Sequence, residues 1–122
     1  MAEKILVVDD DAMNRKLAEV ILKKGDYEVM QADSGAAALD MLSEARADLV
    51  LLDIRMPGMD GIETLRRIRM SPEGKDAKVL FLSACEDTAE LEGADGLHVL
   101  GCVKKPFLPK DLLAAVDAAV RQ

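Results

Sequence analysis

The side chains with chemical potential in this chain each follow a short apolar run. Lys4-Ile-Leu-Val-Val8 is followed by Asp9, Asp10 and Asp11, and Leu49-Val-Leu-Leu52 by Asp53. Lys78-Val-Leu-Phe-Leu82 is followed by Ser83, and Cys102 to Lys104 by Lys105. Three carboxylates such as Asp9, Asp10 and Asp53, packed close together, repel. They are tolerated if a cation neutralises them or if some stay protonated. Oxygen ligands without His or Cys favour a hard ion, and Mg2+ accepts a carboxylate or two while keeping several waters. Ser83 adds a neutral donor and Lys105 a fixed positive charge. Metal, hydroxyl and ammonium around one carboxylate form a cage for an oxyanion. Phosphoryl transfer asks mainly for such positioning and charge neutralisation. A carboxylate can itself be the nucleophile, giving an aspartyl phosphate. Asp53 suits that role, because it stands alone after its strand and leaves the other acids to hold the metal. Zinc is not credible: the single histidine, His98, has no partner at ligand spacing with either cysteine.

These residues need elements to gather them. The runs Lys4–Val8, Tyr27–Ala32, Leu49–Leu52 and Lys78–Leu82 read as strands, with a short fifth over Cys102–Lys104. Between them lie amphipathic stretches. From Ala12 to Lys24, Met13, Leu17, Val20 and Ile21 recur at helical spacing, and Gly25 ends the segment. Asp-rich strand ends also serve as helix N-caps, and Asp11 is read as one; Ser34 is another. Ser34 opens a helix with Ala38, Met41, Leu42 and Ala45 on its inner face. The turn-rich Met56-Pro-Gly-Met-Asp-Gly61 leads into a helix with Ile62, Leu65 and Ile68 inward. A last helix runs from Asp111 to Val120. Glu86 to Leu100 should be a further helix, but Gly93 and Gly96 interrupt it, each costing about 1 kcal/mol relative to Ala. It is expected to be short and mobile. Alternating strands and helices imply an α/β fold with a parallel sheet covered on both faces. Five strands suit the doubly wound order 2-1-3-4-5, in which ligands bind beyond the carboxyl ends of strands 1 and 3.

Composition narrows the class. A chain of 122 residues fits a single domain, 1–122, large enough to bury a core without staples. No apolar run approaches the ~18 residues of a membrane span, and no signal peptide is visible. Two cysteines fit a reducing cytosol better than a disulfide framework, so a cytoplasmic location is expected. A net charge of −7 disfavours nucleic acid and anionic membranes as partners. That charge is local. Asp9–Asp11 carries −3 and Glu86, Asp87, Glu90, Glu92 and Asp95 carry −5, which leaves +1 for the rest.

From Lys4 to Val120 the chain resembles the receiver domain of two-component response regulators, a flavodoxin-like fold. The resemblance rests on Ile-Leu-Val-Val-Asp9-Asp10-Asp11, Asp48-Leu-Val-Leu-Leu-Asp53, Met56-Pro-Gly-Met-Asp-Gly61, Ser83-Ala84 and Lys105-Pro106-Phe107. It implies that Asp53 takes a phosphoryl group from a phosphohistidine on a sensor histidine kinase or a histidine phosphotransfer protein. It also implies that Asp10, Asp53 and the main-chain carbonyl of Arg55 bind Mg2+ directly, with Asp9 helping through water. Ser83 would hydrogen-bond the phosphoryl group, Lys105 would pair with it, and the peptide before Pro106 would be cis. Arg55 and Cys85 match positions that tune phosphate hydrolysis, with Arg55 either shielding the phosphate or pairing with a nearby acid. The small Ala84 would leave the phosphate accessible. Asn14 is common in the receivers of phosphorelays and points to a phosphotransfer partner. Cys102 stands where the family usually has the Tyr or Phe of its switch. Output toward a downstream protein target is therefore expected through Glu86–Leu100, as an order–disorder change. Such a chain is a signalling switch rather than a turnover enzyme, and no DNA-binding domain follows within it.

Two rival readings share these residues. An aspartate-nucleophile phosphatase of the haloacid dehalogenase type would use Asp9 in Asp9-Asp10-Asp11. Met13 stands where that motif wants Thr or Val, and there is no cap domain. A non-phosphorylated receiver-like scaffold would not need the complete set Asp9, Asp10, Asp53, Ser83 and Lys105. A dinucleotide-binding reading fails for lack of Gly-x-Gly-x-x-Gly after strand 1.

Overall fold

A computed structural model describes residues 2–72, 74–83 and 97–121, with the side chain of Ser83 outside that description. The strands are β1 (Lys4–Val8), β2 (Glu28–Ala32), β3 (Leu49–Asp53), β4 (Val79–Ser83) and β5 (Gly101–Lys104). The described helices are α1 (Ala12–Lys24), α2 (Gly35–Glu44), α3 (Gly61–Met70) and α4 (Pro109–Val120). All strand pairs are parallel, as the alternation implies, and the order is β2-β1-β3-β4-β5, the doubly wound order that five strands suit.

The central strands are apolar throughout because both of their faces are covered. Alternate residues serve opposite cores. Ile5, Val7, Leu49, Leu51, Leu80 and Leu82 pack with Ala18, Ile21 and Leu22 of α1 and Leu112, Val116 and Ala119 of α4. Leu6, Val8, Val50, Leu52, Val79 and Phe81 pack with Ala38 and Leu42 of α2 and Leu65 and Ile68 of α3. The two-residue period of a strand produces this division.

Helix starts follow local chemistry. Asp11 caps α1 by accepting from the Met13 N–H at 2.9 Å, and Ser34 caps α2 through Ala37 at 3.1 Å. Asp60 caps α3 by accepting from Glu63 at 2.8 Å. Helix α4 begins at Pro109 rather than at Asp111, because proline in the first turn gives up only an N–H that has no intrahelical partner.

Helix α1 runs between the bounds that its spacing and Gly25 imply, but helical spacing alone does not say which of its apolar residues are buried. Of Met13, Leu17, Val20 and Ile21, only Ile21 is buried; the first three are 78%, 45% and 42% exposed. The helix seats the stripe Ala18–Ile21–Leu22 instead, where the small Ala18 allows close approach to the sheet. Of the expected Glu86–Leu100 helix, residues 86–96 lie outside the described residues, and Leu97–Leu100 are neither helix nor strand. Among the described residues, no helix is long and apolar enough to cross a membrane.

Candidate functional site

Strand register gathers the acids. Val8 pairs with Leu52, so one residue further on Asp9 and Asp53 leave β1 and β3 side by side. Ser83 pairs with Lys104, which sets Lys105 just past the end of β5. One carboxylate oxygen from each of Asp9, Asp10 and Asp53 lies within 4.8 Å of the others. Asp9 is fully buried, Asp53 is 4% exposed and Asp10 is exposed.

Lys105 lies between the two buried acids. Its Nζ donates to Asp9 Oδ2 at 2.7 Å and stands 3.1 Å from Asp53 Oδ1. The other Asp9 oxygen, Oδ1, accepts the Asp11 N–H at 2.9 Å. Asp53 Oδ1 accepts the Arg55 N–H at 3.3 Å. One ammonium therefore serves two carboxylates, and the exposed Asp10 adds a third.

The charge imbalance shows in the ionisation. Burial pushes the Asp53 carboxyl up to about 6; Lys105 pulls it down, and the neighbouring charge of Asp9 pushes it up again. Burial alone would lower Lys105. Its hydrogen bond to Asp9 and the charges of Asp53 and Asp9 outweigh that, so the ammonium is held above its ordinary range. A buried acid with a raised pKa beside two more carboxylates is a site short of positive charge. A hard cation on these oxygens supplies it, and the all-oxygen donor set fits Mg2+.

The remaining expected residues fall as follows. Arg55 lies two residues past the end of β3, and Pro106 follows Lys105 through a cis peptide. Ala84 and Cys85, like the Ser83 side chain, lie outside the described residues. Cys102 packs half-buried beside Phe81, its register partner on β4. It is disulfide-bonded in this structure, where the sequence reading had two reduced thiols.

Two further residues support the site, and sequence reasoning assigned neither of them that role. Arg15 Nη1 donates to the main-chain oxygen of Asp9 at 2.7 Å. Gly61 opens α3 so close to β3 that an added Cβ would lie 2.2 Å from the Asp53 carbonyl oxygen. An Asp-Gly pair at a helix start hints at a tight approach, but nothing in the sequence names the strand that it approaches.

This acidic cluster with its lysine lies at the carboxyl edge where a doubly wound parallel sheet reverses its winding, the place where α/β proteins of this class bind their ligands. The family model for the response regulator receiver domain matches residues 5–117, and the chain belongs to that family. Over 107 residues it is 39% identical to sporulation initiation phosphotransferase F of Bacillus subtilis, covering 88% of this chain and 85% of that one. It is 37% identical over 119 residues to the transcriptional regulatory protein ResD of the same organism, covering 98% of this chain. That match spans 48% of ResD, so the chain has about half the length of this relative. The structure superposes on the chemotaxis protein CheY4 of Vibrio cholerae with a TM-score of 0.92 at 29% identity, covering 98% and 99% of the two chains.

Proposed function

We propose that the chain is a single receiver domain, 1–122, that takes a phosphoryl group onto Asp53 from a phosphohistidine, with Mg2+ as cofactor. The observation that carries this reading is the meeting of Asp9, Asp10 and Asp53 oxygens within 4.8 Å beside Lys105. Asp10, Asp53 and the Arg55 carbonyl would hold the ion, with Asp9 acting through water. The bound ion would neutralise charge on the incoming phosphoryl oxygens. In the transfer, an Asp53 carboxylate oxygen bonds to phosphorus while the P–N bond of the donor breaks, its electron pair returning to the imidazole. Lys105 then has a third anion to serve. It can leave Asp53, the longer of its two contacts, for a phosphoryl oxygen while it keeps Asp9. Ser83 would donate its hydroxyl to another phosphoryl oxygen.

Asp9 is poorly suited to be the nucleophile of a phosphatase. It is fully buried, and both of its oxygens already accept hydrogen bonds. The partner class is a histidine kinase or a histidine phosphotransfer protein. The exposed Met13, Leu17 and Val20 on α1, next to the acidic pair, offer an apolar seat for it. On this reading the chain is a switch acting through protein contacts and not a turnover enzyme.

Incubation with acetyl phosphate and Mg2+, followed by intact-protein mass spectrometry, tests the reading. One phosphoryl increment is expected on the wild type and none on Asp53→Asn. Modification that survives in Asp53→Asn, or that ignores removal of Mg2+, overturns it.

A further inference from the structure

Asp9 is held at every polar atom. Its N–H donates to the Ala32 carbonyl at 3.1 Å, and its two carboxylate oxygens accept from Asp11 N–H and Lys105 Nζ. The remaining atom is its own carbonyl oxygen, which belongs to the peptide joining Asp9 to Asp10. Arg15 Nη1 donates to that oxygen at 2.7 Å.

The guanidinium is itself aimed by neighbours. Arg15 Nε donates to Gln31 Oε1 at 3.2 Å, and Gln31 Nε2 donates to Glu19 Oε2 at 2.9 Å. Glu19 returns to α1, one turn beyond Arg15. A polar chain thus runs from α1 across β2 and back to the end of β1. Its terminus is the peptide from which two of the three clustered carboxylates depart. An arginine fork held at two of its nitrogens has little freedom left, so it fixes that peptide with small further loss of entropy.

We infer that Arg15 is a positioning residue for the cation site. It locks the Asp9–Asp10 peptide so that both carboxylates converge with Asp53, and Gln31 and Glu19 hold it in place. The inference rests on the proposed role of these acids in holding Mg2+. It concerns a residue that touches neither the ion nor the phosphoryl group. Groups that orient metal ligands from behind commonly change metal affinity by about ten- to a hundredfold when removed.

The test uses the whole chain as wild type, Arg15→Met, Arg15→Lys and Gln31→Met, titrated with Mg2+ and followed by amide NMR shifts. Arg15→Met is expected to weaken Mg2+ binding about tenfold. Arg15→Lys, whose ammonium keeps one donor for the Asp9 carbonyl, is expected to recover most of that loss. Gln31→Met should weaken binding by about two- to threefold, since it loosens the guanidinium without removing it. A second measurement needs no metal. Hydrogen exchange at the Asp9 and Asp11 amides, which donate to the Ala32 carbonyl and to Asp9 Oδ1, should quicken about tenfold in Arg15→Met while Leu65 and Val116 stay unchanged. An Arg15→Met protein with wild-type Mg2+ affinity overturns the inference. So does a uniform rise in exchange over the whole chain, which would mean a general loss of stability. A wild type that shows no saturable Mg2+ response would instead sink the proposed function, and the metal-free exchange would still decide whether Arg15 positions the turn.

Discussion

Asp53 is buried within reach of one lysine and two other acids, and its ionisation records that conflict. Its folded pKa of about 6 exceeds the ordinary 3.8, so between these values the folded protein binds more protons than the unfolded chain. Stability therefore falls as pH rises from about 4 to 6 and is lower on the alkaline side. Replacing the charge by an isosteric amide removes the cost. In the absence of divalent ions, Asp53→Asn is expected to be more stable than wild type at pH 7.5, by about 1–2 kcal/mol after allowance for solvent screening. The advantage should fade as pH drops toward 4, where the wild-type carboxyl is protonated too. Urea unfolding across this range is the measurement, and a difference independent of pH would show that Asp53 carries no such strain. Lys105 has the opposite sense. Its raised pKa contributes stability that persists through neutral pH and is lost only in strong alkali.

The elements turn local signals into placement. The capping chemistry of Asp11, Ser34 and Asp60 was legible as short polar residues before amphipathic runs, because a cap is a contact across two or three residues. The β3–α3 junction is different. There α3 presses its first residue onto the strand end that carries Asp53, and only a hydrogen atom fits: a Cβ at Gly61 would also lie 2.7 Å from Ile54 Cα. Both atoms it would meet are backbone and cannot turn aside. Gly61→Ala is therefore expected to lower stability by about 2 kcal/mol. It should also shift the Asp53 and Arg55 amide resonances, since either the helix or the strand end must move. Unfolding measurements with amide spectra check both. An alanine protein with wild-type stability and spectrum would contradict the contact. The exposed stripe of α1 shows the limit of periodicity, because helical spacing reports that apolar residues share a face and does not report which neighbouring face the sheet takes. Ala18 and Leu22 won that position by fitting closely.

At the scale of the whole molecule, two apolar layers flank one sheet, and they meet at residues that point alternately to either side. Phe81 lies in the second layer and is the largest of the fully buried side chains among the described residues. Phe81→Ala should cost about 3–5 kcal/mol, the usual loss for a buried phenylalanine whose cavity cannot collapse. Leu17→Ser on the exposed face of α1 should change stability by about 0.5 kcal/mol or less. If the seat proposed on α1 receives the phosphodonor, the same Leu17→Ser substitution slows transfer from that partner. Acetyl phosphate, which needs no docking, should react with it as with the wild type. Thermal melts and the two phosphorylation assays separate these effects.

By itself, the sequence determined the succession of strands and helices, the caps and the chemistry left at each strand end. These depend on periodicity and on contacts a few residues apart. It also placed Asp9, Asp10, Asp53 and Lys105 at strand ends, and the fold brings these residues together because parallel strands send all their carboxyl ends to one edge. Only the tertiary structure decided how those residues share charge. Lys105 reaches Asp9 across 96 residues of chain, and whether it joins one acid or both depends on strand register and side-chain depth. The roles of Arg15 and Gly61 were decided there as well. One is a contact between a side chain and a distant peptide oxygen and the other a close approach of two backbones, and neither leaves a periodic mark on the sequence.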